Sequence, residues 1–113
     1  MAGLKIHETV DKEVFYCALE GELDLHTAQA ARSRLDTSLE QTGARHLILD
    51  LCQVSFIDSS GIGMVLGRYR KLKERGGRME IVAPGGAVKK VLEMAGIAGI
   101  IPIRTAQAEE KTS

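Results

Sequence analysis

Short apolar runs of strand character alternate with stretches whose apolar residues recur at helical spacing, and this alternation leaves few folds open. Leu4, Ile6 and Val10 fall mostly on even positions, and the next run is rich in β-branched and aromatic residues. Val10–Glu13 can turn between them, which predicts an antiparallel pair over Leu4–Thr9 and Val14–Glu20. Ala28, Ala31, Leu35 and Leu39 then mark a helix over Thr27–Gln41, with Asp24 or Thr27 as N-cap and Gly43 as the stop. His46–Leu51 reads as a strand, and Ile62, Val65, Leu66, Tyr69 and Leu72 mark a second helix that ends at Gly76-Gly77. A strand over Met79–Ala83, a helix over Val88–Ala95 closed by Gly96, and a last strand over Ile100–Ile103 complete the pattern. Ile97 is placed to pack back on that helix, and Pro102 suits a sheet edge.

The order β-β-α-β-α-β-α-β implies parallel strands joined by right-handed crossovers, beside one antiparallel N-terminal edge pair. The expected fold class is therefore α/β, a mixed and mostly parallel sheet packed with helices. The 113 residues fit one domain, 1–113, with a core over about 4–103 and a short helix or frayed tail over 104–113. Lys plus Arg equal Asp plus Glu at 15 each, so no net charge draws the chain to nucleic acid or to an anionic membrane. No apolar run reaches the roughly 18–20 residues that span a bilayer. The N-terminus lacks the apolar stretch of a signal peptide, so the expected location is cytoplasmic. Cys17 and Cys52 have no metal-ligand spacing; Cys17 reads as a small core residue.

In a parallel α/β sheet the strands end, and the following helices begin, at one edge. Three segments are expected there: Glu20-Gly21-Glu22-Leu23-Asp24, Asp58-Ser59-Ser60-Gly61-Ile62-Gly63 and Pro84-Gly85-Gly86. The Asp-Ser-Ser-Gly run has two readings. Aspartate and serine are good N-caps, and capping alone accounts for them. Against that, Gly61 and Gly63 each weaken a first turn by about 0.5–1 kcal/mol relative to alanine, and bare backbone lets another protein approach a serine. A phosphate there brings about −1.5 to −2 charge beside Asp58, which a helix N-terminus tolerates and a partner fitted to a neutral hydroxyl does not.

Enzyme readings fare worse on the same residues. No G-x-S-x-G surrounds the serines, and His7, His26 and His46 have no motif about them. Gly61 to Gly67 approximates a dinucleotide fingerprint, but Glu80 lies within a strand instead of at its end. There is no P-loop. The basic run Arg68–Arg78 reads as a solvated helix face that complements the helix dipole, or as a docking patch for an acidic partner.

Phe56-Ile57-Asp58-Ser59-Ser60-Gly61-Ile62-Gly63 resembles the phosphorylation motif of the bacterial anti-sigma factor antagonists, the STAS-domain family. Gly21-Glu22-Leu23-Asp24 resembles that family's G-E-L-D element, and Val88–Ile103 its terminal helix and strand. Gly67-Arg68-Tyr69 with Gly76-Gly77 is most similar to the sporulation members that act on the sigma-F pathway. The resemblance implies a regulator with no catalytic residues and no cofactor. Its implied partners are an anti-sigma factor that is also a serine kinase, and a PP2C-type phosphatase. By position Ser59 is then the phosphoacceptor, Asp24 and Asp58 belong to the partner-facing surface, and Ser60, Gly61, Ile62 and Gly63 shape the helix start. Pro84-Gly85-Gly86 departs from the polar cap common among relatives. The alternative is a STAS-like scaffold or ligand sensor without phosphorylation.

Overall fold

A computed structural model describes residues 3–106. Among these, the elements run β1 (Lys5–Asp11), β2 (Val14–Leu23), α1 (Leu25–Thr42), β3 (His46–Ile57), α2 (Ser59–Glu74), β4 (Arg78–Ala83), α3 (Ala87–Met94), a 3-10 turn at Ile97–Gly99 and β5 (Ile103–Thr105). The expected order and α/β class hold. One sheet has the order β1-β2-β3-β4-β5, antiparallel between β1 and β2 and parallel from β2 onward.

From β2 to β5 each strand is followed by its neighbour, so right-handed connections carry all three helices to one face. Burial agrees. Phe15, Cys17 and Leu19 of β2, Leu47, Leu49 and Leu51 of β3, and Met79, Ile81 and Ala83 of β4 are buried with Ala31, Leu35, Val65, Leu72 and Leu92 from the helices. The intervening Tyr16, Ala18, Ile48, Asp50, Glu80 and Val82 are only half-buried, on a face that none of the helices among the described residues covers. There the Tyr16 hydroxyl donates to Asp50, and Glu80 bridges strands, 2.8 Å from His46 Nε2 and 3.2 Å from Arg104 Nη2. The bond to Asp50, then burial, push the Tyr16 phenol up to about 12.

Several boundaries differ from the sequence reading. The largest difference is β3, predicted to end at Leu51 and found to run to Ile57. Its pairing with β2 slips twice, between Ala18 and Glu20 and between Gly21 and Glu22, where β3 carries an extra residue each time. Each bulge reverses the parity of the strand, so its buried residues pass from alternate positions to Leu51, Val54 and Ile57 at spacing three. A period-two search loses such a strand. The last strand begins at Ile103, because the turn Ile97–Gly99 intervenes; Pro102 precedes it and its carbonyl accepts from Ile81 N–H. Of the expected tail over 104–113, Arg104 and Thr105 belong to the strand Ile103–Thr105, and residues 107–113 lie outside the described residues.

Candidate functional site

The site grows from the ends of β2 and β3. Both strands stop one residue short of an aspartate that caps the following helix. Asp24 Oδ1 accepts from His26 and Thr27 N–H at 3.1 Å each, and the Thr27 hydroxyl accepts in return from Asp24 N–H at 2.8 Å. These bonds, led by the Thr27 amide, hold the Asp24 carboxyl below its ordinary range. Asp58 repeats the device on α2, its Oδ1 accepting from Ser60 N–H at 2.9 Å and Gly61 N–H at 3.2 Å. The Asp58 N–H donates to the Leu23 carbonyl at 3.3 Å, so a backbone bond ties the two helix starts together.

Glycines make that junction possible. A Cβ on Gly61 would stand 2.7 Å from Ile57 Cγ1 and 3.0 Å from the Leu23 carbonyl. Gly61 is buried and holds α2 against the end of β2. Gly21 has φ 128° at the second bulge, a conformation that L side chains rarely adopt.

Not all predicted site residues share one surface. Ser59, the first residue of α2, is exposed; Ser60, Asp24 and Asp58 are half-buried. Gly63 is exposed with open space where a Cβ would be. Gly61 and Ile62 are buried and belong to the packing beneath the site. Leu25, next to Asp24, and Phe56, two residues before Asp58, are 57% and 46% exposed, which gives this end of the molecule apolar surface that sequence reasoning did not assign.

The third expected segment stays apart. Asp50 pairs with Val82, so Ala83 is level with Leu51, and β3 continues six residues past that level, about 20 Å in extended chain. Pro84-Gly85-Gly86 therefore opens α3 well behind Asp58. Gly86 caps α3 without a side-chain bond, as its composition predicts.

The basic run also divides. Lys71 and Arg75 are exposed, but Arg68 is only 4% exposed and lies 3.0 Å from Asp36 of α1. The reading of Arg68 as part of a solvated face is corrected by this burial. Its position was legible as spacing, since Met64, Arg68 and Leu72 form one i, i+4 stripe of α2, but its charge argued otherwise. Lys71 joins the same Asp36 carboxylate at 3.2 Å. The described residues contain no cluster of side chains suited to a metal ion and no helix long and apolar enough to cross a membrane.

Comparison with known proteins gives a consistent picture. The STAS domain family matches residues 5–110. The chain is 35% identical over 101 residues to the anti-sigma F factor antagonist of Paenibacillus polymyxa, covering 89% of this chain and 86% of that one. It is similar to the unphosphorylated form of the anti-sigma factor antagonist SpoIIAA, with a TM-score of 0.78, 32% identity and coverage of 97% and 93% of the two chains. The phosphorylated form of SpoIIAA, a Bacillus cell fate determinant, also superposes, with a TM-score of 0.71, 31% identity and coverage of 97% and 96%.

Proposed function

The chain belongs to the STAS-domain family, and from that premise we propose that it is an anti-sigma factor antagonist switched by phosphorylation of Ser59. The unphosphorylated domain binds an anti-sigma factor that is also a serine kinase, and so frees the sigma factor. The kinase transfers the γ-phosphoryl group of ATP to Ser59 Oγ: an O–P bond forms, the bond to the ADP leaving group breaks, and the hydroxyl proton is lost. A PP2C-type phosphatase hydrolyses the ester and restores the binding form. Similarity to an anti-sigma F factor antagonist, with Gly67-Arg68-Tyr69, favours sigma F and sporulation as the setting.

One observation carries this reading: the exposed Ser59 stands at the first residue of a helix whose cap, Asp58, is engaged with the amides of Ser60 and Gly61. A kinase reaches the Ser59 hydroxyl without opening the fold, whereas Ser60 is half-buried. Added negative charge meets a helix N-terminus and is tolerated by the domain. A surface seated on Leu25, Phe56 and a neutral Ser59 meets that charge directly.

The test is incubation with ATP and the anti-sigma kinase of the same genome, followed by mapping of phosphate by mass spectrometry. Phosphate is expected on Ser59, absent after Ser59→Ala and retained after Ser60→Ala. Phosphate confined to Ser60, or none from a kinase active on another substrate, overturns the reading. Ser59→Asp should bind the kinase at least tenfold more weakly, about 1.4 kcal/mol; equal affinity means charge here is not the switch.

A further inference from the structure

Beside the serines, α1 and α2 leave a groove between them that the phosphorylation switch does not use. Its lining runs from Leu25 and Ser60 at one end, past the small residues Gly63 and Gly67, to Arg32 and Arg68 at the other, and contains no acidic residue. The protein has no net charge, so a lining with two arginines and no acid is a local arrangement; Asp36, which pairs with Arg68, lies outside the lining.

Arg68 is the unusual member. It is 4% exposed, and its Nη1 has no hydrogen-bond partner among the described residues. Asp36 offers charge at 3.0 Å from Nε, but at an angle outside hydrogen bonding, and shares its carboxylate with Lys71. Arg32 lies close enough that its charge, after burial, disfavours the charged form of Arg68. Two cations, Arg68 and Lys71, thus share one carboxylate. Arg68 lines the groove with its hydrogen bonds incompletely made, and charge-assisted bonds to Arg are among the stronger ones.

We propose that this groove receives an acidic side chain of the anti-sigma factor, its carboxylate held between Arg32 and Arg68. The inference rests on the function proposed above and deepens it. The groove is continuous with the serine surface through Ser60, so a protein placed over Ser59 also lies over the groove. The exposed Leu25 at the rim and the floor of Gly63 and Gly67 admit an aliphatic stem beneath the carboxylate.

The experiment measures affinity for the anti-sigma kinase by calorimetry, with Ser59 phosphorylation followed on the same samples. Arg32→Glu changes an exposed residue and should leave the fold intact while weakening binding at least tenfold. A paired variant, Arg68→Gln with Asp36→Asn, neutralises the ion pair together so that no charge is stranded, and should weaken binding similarly. Arg70→Glu, an exposed change outside the groove, should not. Replacing one acidic residue of the kinase by lysine should restore binding to Arg32→Glu. If wild type binds and is phosphorylated while both groove variants bind as wild type, this inference falls and the proposed function stands. A loss that no kinase substitution restores overturns the carboxylate as occupant. If wild type binds no anti-sigma kinase, both fall.

Discussion

Gly61 and Gly63 stand two residues apart at the start of one helix, yet opposite effects follow from giving each a methyl group. At Gly61 the new Cβ meets the Leu23 carbonyl and Ile57, and neither backbone nor a packed strand residue yields easily. Gly61→Ala should cost about 1–3 kcal/mol in denaturant unfolding despite its better helix propensity. At Gly63 the space is open, so alanine should stabilise the domain by about 0.5–1 kcal/mol. If bare backbone serves partner approach there, Gly63→Ala should also bind the anti-sigma kinase more weakly. Equal destabilisation at the two positions would contradict the packing described. The sequence singled out both glycines for one reason; only their surroundings separate a packing glycine from an accessible one.

The helix starts are the elements on which the site depends, and their stability is tied to pH. The folded state holds the Asp24 carboxyl below its ordinary range through bonds from the Thr27 amide, the Thr27 hydroxyl and the His26 amide. Folding therefore favours the ionised form. The resulting stabilisation is complete above the ordinary aspartate range and is lost as pH falls through the lower folded-state value. Thermal melting followed on acidification should show a shallower loss for Asp24→Asn, which keeps an accepting oxygen but does not titrate. Identical pH profiles would mean that this cap does not contribute to acid sensitivity. That a capping residue stands at each of these starts was legible, because Asp before an amphipathic run has a local cause. The second half of β3 was not: its two bulges are set by pairing with β2, and they change the burial period from two to three.

Over the whole molecule, one sheet face lies under all three helices and the other carries a network of side chains. Cys17 lies on the covered face, fully buried, and burial pushes its thiol up to about 12. Cys52 is half-buried in β3. A thiol reagent at neutral pH should label Cys52 first, and Cys17 only at the rate of global unfolding. Early labelling of Cys17 would mean that α1 opens locally from the sheet. The order of elements, the parallel sheet and the presence of a capping residue before α1 and α2 were determined by the sequence alone, since periodicity and capping act within a few residues; the choice of Asp24 over Thr27 came from the structure. The opening segment of α2 was legible in the same way and for the same reason. Three things were decided by tertiary structure: that Gly61 faces inward, that Pro84-Gly85-Gly86 stands away from Ser59, and that Arg68 is buried toward Asp36. Spacing alone put Ile62 and Arg68 on the apolar stripe of α2, but how far β3 extends past β4, and which carboxylate lies opposite Arg68, are distances that no local pattern of residues encodes.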